Sequence, residues 1–409
     1  MEPGMNPLFS PLSAQACNAF ALLPKALSRI RPLNEAHKRS LPEDVAALSR
    51  LLTTERRELR HPYWSSPAFV SAYLYYFLPW NLLRQARLLA SLPLPDPRKN
   101  ASGGALLLDV GSGPLTLPIA LWLVRPDWED AVRVLAVDIA VQPLEMGKAL
   151  FAVLAELLGR KPWPVRTARA SLSQMACKSM TDRPWLMTVT NVLNEVRDKR
   201  SFAAGNEESE EQFTQIFKVV DTLSPSTLLV VEPGTRLGGK AVMRLRDSAL
   251  SNGFEALSPC THNGCCPLFA GDGGRTWCHF TLDTLDAPLW LTQLSHRAGL
   301  VKNALSLSPL LLSAQKTIRQ SGVARILSAP FPVPGLKGLA RYACSAEGLL
   351  LLEDAGNAAS GDAQAIVVDR RARRDKKSRA KIVSGSHSVV HPRQKMFDIN
   401  KGSLHPSAP

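Results

Sequence analysis

ALLLDVGSGPLTL, residues 105–117, joins an apolar run to a glycine-containing turn and then to a second apolar segment. The first run predicts a buried β-strand, and the segment after the turn predicts a helix. Gly111 and Gly113 let the backbone approach a ligand closely, and the start of the helix offers unpaired N–H groups. The stretch therefore predicts the first strand–turn–helix unit of a nucleotide-type α/β fold.

Strand-like and helix-like segments alternate in the sequence that follows. Further strands are predicted within 133–140, 164–172, 184–196, 226–234, 279–285 and 307–314. Helices are predicted within 143–159, 210–223, 237–250 and 287–299. The alternation predicts a doubly wound, mostly parallel sheet with ligand chemistry at the carboxyl ends of its strands.

The chain divides into four predicted regions. Residues 1–100 form a helical N-terminal region, in which Ser40 is expected to cap a helix and aromatic residues at helical spacing are expected to pack rather than bind RNA. Residues 101–322 form the α/β domain, including a cysteine-rich segment at 259–280. Residues 323–354 form a small β appendage, and 355–409 form a basic tail expected to be disordered in isolation.

The 409-residue chain carries a formal charge of +14, and that charge is concentrated at the end. Residues 370–409 contain eleven Lys or Arg against two acids. Such a segment favours RNA, bound through its phosphates, and a solvated tail without a partner is an equal alternative. The N-terminus lacks the pattern of a secretory signal, and the apolar stretch 67–83 is interrupted by Pro79. We expect a cytoplasmic protein with no membrane segment.

The turn after the first strand is the candidate cofactor site. Asp109, Gly111, Ser112 and Gly113 lie at the turn, and Asp138 ends the next predicted strand, where its carboxylate can accept both hydroxyls of a ribose. NAD is disfavoured, since its fingerprint requires a third glycine three residues further on and this chain has none there. The alternative is a tight turn that binds nothing.

The fourth predicted strand ends in TNVLNEV, which places Asn194 near the same edge. We include Asn194 among the candidate cofactor-binding residues. No N/D-P-P-Y/F motif for amino methylation is present, and no cysteine ends a predicted strand; Cys177 lies between strands. Methyl transfer needs little more than correct positioning of the methyl donor and the acceptor, so the missing motifs do not exclude this activity. They leave no residue that can be named as catalytic.

Four of the seven cysteines fall within PCTHNGCCPLFAGDGGRTWCHF, residues 259–280. Glycine and proline allow the tight turns that gather ligands around a metal, and both structural zinc and iron–sulfur clusters accept four thiolates. The local ligands would be Cys260, Cys265 or Cys266, and Cys278. The fourth candidates are His262, His279 and Cys344. Unrelated thiols in one loop are the alternative.

Several short motifs together resemble the Rsm22-type methyltransferase-like family of small-ribosomal-subunit assembly proteins, mitochondrial and bacterial. They are DVGSGP, VEPGT, PCTH, CPL and WCHF, and the resemblance extends over about 62–381. It implies a class I methyltransferase fold that binds S-adenosylmethionine. It also implies a [4Fe–4S] cluster, with zinc as the alternative, on Cys260, Cys266, Cys278 and Cys344. The family usually has glycine where this chain has Leu115 and proline where it has Thr261.

Three functions follow as expectations. The first is an S-adenosylmethionine-binding, iron–sulfur protein that acts on the small ribosomal subunit or its RNA, with no DNA or membrane partner. The second is a non-catalytic assembly factor whose methyltransferase site is vestigial. The third is a zinc-stapled methyltransferase of small molecules. Radical chemistry is disfavoured because its usual C-x-x-x-C-x-x-C motif is absent from the sequence.

Overall fold

The computed structural model describes residues 6–53, 63–99, 103–177, 180–193, 207–269, 276–317, 321–336, 338–369 and 371–383. Two β-sheets organise these residues. The strands of the first sheet are β1 (Ala105–Val110), β2 (Val132–Asp138), β3 (Val165–Arg169), β4 (Leu186–Thr190), β5 (Thr227–Pro233), β6 (Glu255–Ser258), β7 (Phe280–Asp283) and β8 (Ala304–Ser313).

The first sheet has the order β3-β2-β1-β4-β5-β8-β6, with β7 also paired to β8. Strands β1 to β5 pair in parallel, whereas β8 runs antiparallel to β5. Strands β6 and β7 pair with different parts of β8 on the same side, so together they form the edge of the sheet. The cysteine-rich segment 259–279 therefore connects β6 to β7, the two short strands that lie end to end along the outer side of β8.

Helices cover both faces of this sheet. They are α5 (Thr116–Val124), α6 (Val141–Leu158), α7 (Leu172–Met175), α8 (Glu207–Leu223), α9 (Arg236–Ser251) and α10 (Leu289–Arg297). One buried cluster joins α5 and α6 to the sheet, and a second joins α8 and α9 to its other face. Every residue of β1 is buried, including Asp109, and the apolar run at 105–108 predicts this burial for the apolar part of a central parallel strand.

The N-terminal region is helical and packs on the first of these faces. It contains α1 (Ala14–Ile30), α2 (Glu35–Thr53), α3 (Pro67–Ala72) and α4 (Leu78–Leu89), with a π-helical turn at Tyr73–Phe77 between the last two. Tyr76 and Trp80 are buried and donate hydrogen bonds to Leu300 O and Ser295 Oγ. These aromatic side chains are therefore packing residues.

The expected cap at Ser40 is wrong. Helix α2 begins five residues earlier, at Glu35, and Ser40 lies inside it. The Asn34 side chain accepts a hydrogen bond from His37 N at 2.8 Å, as a capping residue does. Pro42 follows within the same helix, so Ser40, Pro42 and the nearby acids predicted a capping position six residues too late.

The second sheet has the order β13-β9-β11-β12-β14, with β10 also on β11. Its strands are β9 (Val323–Ile326), β10 (Phe331–Pro332), β11 (Leu339–Ser345), β12 (Gly348–Glu353), β13 (Ala363–Ala365) and β14 (Lys381–Val383). The last two lie beyond residue 354, where we expected a disordered tail to begin, so that boundary was placed too early. Short strands with few apolar residues give little signal before their pairing partners are known. The predicted tail beyond Val383 lies outside the described residues.

None of the helices in the described part of the chain combines the length and the apolar character needed to cross a membrane.

Candidate functional site

The turn after β1 and the end of β2 meet at the carboxyl edge of the sheet. Gly113 N donates a hydrogen bond to Asp138 Oδ2 at 2.9 Å, and Ala140 N donates one to Asp138 Oδ1 at 2.9 Å. Each carboxylate oxygen accepts one bond from these amides and keeps a further acceptor site. Asp138 is only partly buried, so a ligand with two neighbouring hydroxyls can reach those sites.

The two glycines of the turn are required for different reasons. Gly111 has φ 67°, and a Cβ built there would lie 2.3 Å from Val192 Cγ2, which is shorter than any tolerable contact. Gly113 has φ 52°, but a Cβ there would meet nothing within 4 Å. Gly111 is therefore required by the packing around the turn, while Gly113 faces open space and its amide is bound to Asp138.

Leu115 adopts a backbone conformation that leucine rarely takes. It precedes α5 with φ 56° and ψ 34°, in the left-handed region, and its side chain is fully buried. A non-glycine residue in this region costs about 1–2 kcal/mol. The burial of the leucine side chain in the core offsets that cost, so the turn keeps its shape without a third glycine.

Asp109 lies beneath the turn rather than on its surface. Its side chain is completely buried, and Asp109 Oδ1 accepts a hydrogen bond from Thr188 Oγ1 at 2.5 Å. Burial raises the pKa of Asp109 to about 6, with a smaller increase from Asp138, against lowering by the hydroxyls of Ser112 and Thr188. The buried carboxyl links β1 to the neighbouring strand β4 through Thr188.

Other residues at this edge were not among the predicted site residues. Ile139 and Val141 follow Asp138 and are 69% and 48% exposed, which gives an apolar surface beside the carboxylate. Glu232, at the end of β5, is fully buried and accepts a hydrogen bond from Leu193 N at 2.9 Å. The strand-terminal acid in LLVVEP was the available signal for Glu232. Asn194 lies outside the described residues.

The four cysteines implied by the resemblance line one cavity. Cys260, Cys266, Cys278 and Cys344 surround a space of about 30 Å³ together with His262. That volume exceeds what one water molecule needs. Cys260 follows β6, Cys278 precedes β7, and Cys344 lies on β11 of the second sheet. The cavity therefore lies where the two sheets meet.

Cys265 is exposed and does not line this cavity, whereas its neighbour Cys266 is buried within it. His279 also lies outside the lining and stacks on Trp277, with ring centroids 5.0 Å apart. His262 Nε2 lies 3.8 Å from Cys344 Sγ. Among the alternatives that the sequence left open, Cys266, Cys344 and His262 are the ones at the cavity.

Two buried arginines hold the cysteine segment in place. Arg246 of α9 donates from Nε to Cys260 Sγ at 3.2 Å and from Nη2 to His262 O and Gly264 O at 2.9 and 2.8 Å. Arg325 of β9 donates to Pro259 O at 3.0 Å. Neither arginine was identified from the sequence, because each belongs to an ordinary helix or strand pattern.

The surroundings of Cys266, Cys278 and Cys344 raise the pKa of these three thiols. Burial raises the pKa of Cys278 and of Cys344 well above 9.0, and the neighbouring Cys260 and Cys266 raise both further. Burial also raises the pKa of Cys266. A bound cation reverses this balance, because metal ligation favours the thiolate.

The structure does not display a formed metal site. Within the described ranges, no three His, Cys, Asp or Glu side chains are arranged to hold a metal ion. The predicted metal-binding insert is thus seen as a cysteine-lined cavity and not as a coordination sphere.

The strand order and the turn define the class of fold. The first sheet has parallel strands in the order 3-2-1-4-5, followed by an antiparallel strand and an edge strand, and a glycine turn follows its first strand. Class I methyltransferases have this arrangement of strands and turn. The prediction of a doubly wound α/β fold of this class is confirmed.

The comparison with protein families identifies a more particular similarity. Residues 98–287, somewhat less than half of the chain, match the family described as "Mitochondrial small ribosomal subunit Rsm22". The match covers β1 to β7, including the turn at Gly111 and three of the four cavity cysteines. No curated protein matches the chain.

Solved structures of methyltransferases resemble the chain only distantly. A putative methyltransferase from Thermoplasma acidophilum is 12% identical, with 51% of this chain and 68% of that chain covered and a TM-score of 0.30. Magnesium protoporphyrin IX methyltransferase from Synechocystis, solved with bound S-adenosylmethionine, is 14% identical, with coverages of 52% and 87% and a TM-score of 0.28. Sequence identities and TM-scores this low do not define the fold, which is assigned from the strand order.

Proposed function

We propose that this protein binds S-adenosylmethionine at the turn 111–113 and acts on the small ribosomal subunit or its RNA. The observation that carries the proposal is the fixed Asp138 carboxylate beside the open face of Gly113. A ribose offers the paired hydroxyls that this carboxylate accepts, and Ile139 and Val141 offer an apolar surface for the adjoining base. The match to a family named for the small ribosomal subunit supports the proposed ribosomal partner.

Methyl transfer is tested directly with radiolabelled S-adenosylmethionine and purified small-subunit RNA, alone and within the subunit. Label on the RNA with the wild-type protein, and its loss with Asp138→Asn, would support an enzyme. Cofactor binding without label on either substrate would support the second candidate, a non-catalytic assembly factor. The absence of an N/D-P-P-Y/F motif from the sequence favours this second candidate, whereas Leu115 is buried in the core and leaves the shape of the turn intact.

We further propose that the cysteine cavity holds a [4Fe–4S] cluster on Cys260, Cys266, Cys278 and Cys344, with zinc as the alternative. The donor set fits the group: four thiols share one cavity, and Arg246 and Arg325 lie close enough to offset part of the negative charge of four thiolates. The bound group would supply a structural link, because Cys344 belongs to the second sheet and the other three to the edge of the first.

Anaerobic purification followed by iron, sulfide and zinc analysis distinguishes the two metals. About four iron and four sulfide per chain, lost in Cys344→Ser and retained in Cys265→Ser, would support the cluster. Cys265→Ser is the matched control, because this neighbour of Cys266 is exposed and outside the cavity. One zinc per chain would refute the cluster, and a metal-free protein would refute both.

The location of the protein stays a prediction. The name of the matched family describes a mitochondrial protein, while the sequence led us to expect the cytoplasm. Fractionation of the source cells, with an antibody against the protein, decides between the two compartments.

A further inference from the structure

A groove of about 600 Å³ lies on the second sheet, away from both sites described above. Its floor is apolar and includes Phe331, Tyr342, Leu351 and Ile382, which belong to one hydrophobic cluster. The loop 333–336 forms one wall, and the segment 373–377 forms the other. Its volume falls within the range of ligand-binding pockets in proteins.

Two aromatic rings lie together in this groove. The centroids of Phe331 and Tyr342 are 4.9 Å apart, and their planes are inclined by 36°. Both side chains are only partly buried, so part of each ring surface faces the groove. An exposed aromatic surface of this kind is where an unpaired nucleic-acid base stacks.

The opposite wall is strongly basic. Arg373, Arg374, Lys376 and Lys377 all line the groove and are all exposed. The acid among them, Asp375, is engaged within the turn, where its Oδ2 accepts hydrogen bonds from Ser378 N and Oγ at 2.7 and 2.6 Å. These bonds lower the pKa of Asp375 and direct its carboxylate to the turn.

The basic wall is a folded element. Ile382 N donates to Arg373 O at 2.7 Å and Asp375 N donates to Ala380 O at 2.9 Å, which closes the segment into a hairpin-like turn. Strand β14 then pairs with β12. The backbone that carries the cations is therefore held in place beside the aromatic pair, which lowers the ordering cost of binding.

We propose that this groove binds single-stranded RNA, with a base on Phe331 and Tyr342 and the adjoining phosphates on the basic wall. The combination of ring surface and cations favours an unpaired nucleic acid over an acidic peptide, which would use the cations alone. A duplex fits less well, because its bases are stacked on one another and unavailable to the rings. The binding requires neither cofactor nor methyl transfer, but it rests on the RNA partner of the function proposed above and gives that partner a second contact surface, away from the turn 111–113.

The test uses the full chain and a fluorescent RNA of mixed sequence, about 12 nucleotides long, within the span of typical single-strand sites. Binding is measured by anisotropy over a series of salt concentrations. Phe331→Leu removes the ring while keeping an apolar side chain, and should weaken binding roughly 5-fold or more. Lys376→Glu/Lys377→Glu should weaken binding and reduce the slope of log K against log salt by about 1.4.

The matched control is Lys25→Glu/Lys148→Glu, which makes the same change of charge at exposed positions on α1 and α6. The segment 384–409 is present in every variant, so its own contribution is common to all. Weakened binding in both groove variants, with the control close to wild type, supports the proposal. Wild-type affinity in the groove variants would overturn it, as would equal binding of an RNA duplex or of a poly-glutamate peptide.

The two proposals fail separately. Titration of the same variants with S-adenosylmethionine reports on the turn 111–113 and should give the wild-type affinity throughout. Loss of RNA binding with cofactor binding retained isolates the groove. If the protein binds no S-adenosylmethionine but its RNA binding still depends on the groove, the groove is supported as an RNA site and the proposed cofactor site is refuted.

Discussion

Replacing Asp109 by Asn should change how the stability of the protein depends on pH. The carboxyl is fully buried, and its pKa in the folded state is raised from 3.8 to about 6, chiefly by burial. Asparagine has nearly the same shape, carries no charge at any pH, and keeps an oxygen that accepts the hydrogen bond from Thr188 Oγ1. The comparison therefore isolates the cost of ionising a carboxylate inside the sheet.

The sign follows from proton binding. Between pH 4 and pH 6 the folded state holds a proton on Asp109 that the unfolded state has lost, so raising the pH destabilises the wild type. A shift of about 2 pKa units corresponds to about 3 kcal/mol over the whole window, of which about 1.3 kcal/mol falls between pH 5 and pH 7. Asp109→Asn should gain that amount relative to the wild type as the pH rises from 5 to 7.

Urea denaturation followed by circular dichroism at pH 5, 6, 7 and 8 measures the difference. Asp221→Asn is the matched control, because this aspartate is exposed on α8 and stays hydrated in both states. A stability difference between Asp109→Asn and the wild type that stays constant across this range would refute the reasoning.

Other substitutions test the turn and the packing around it. Gly111→Ala should abolish cofactor binding and lower the melting temperature, because the added methyl collides with a packed side chain, whereas Gly113→Ala should cost less. Leu115→Gly should destabilise by about 2 kcal/mol in urea denaturation, since losing a buried leucine outweighs relief of the left-handed backbone; a more stable variant would contradict this. Arg87→Met should destabilise by about 1.5 kcal/mol, because two partly exposed carboxylates lose a buried charged partner but can still be hydrated, while Arg98→Met, which breaks exposed pairs, should change the midpoint little.

Much of the first sheet could be predicted because its signals are local. Strands β1, β2, β4 and β5 are short apolar runs bounded by turns, and the helices between them are periodic. The turn at Gly111 and Gly113 and the acid at Asp138 are likewise set by adjacent residues. Their geometry, with an amide of the turn bound to the carboxylate, follows from the parallel pairing of β1 and β2.

The parts that sequence reasoning missed depend on distant contacts. Arg246 and Arg325 reach the cysteine segment from a helix and from the second sheet, and neither has an unusual local pattern. Strands β13 and β14 are three residues each and gain their structure from pairing with β9 and β12. The sequence therefore predicted the basic wall of the groove to be part of a disordered tail, although it is folded beside the apolar floor.

Calorimetric titration of the purified protein with S-adenosylmethionine tests the proposed cofactor site. We expect one site per chain in the wild type, an affinity at least about 10-fold weaker in Asp138→Asn, and no change in Asp221→Asn. No binding by the folded wild-type protein, or equal binding by Asp138→Asn, would contradict the assignment of the turn at Gly111 and Gly113 as the cofactor site.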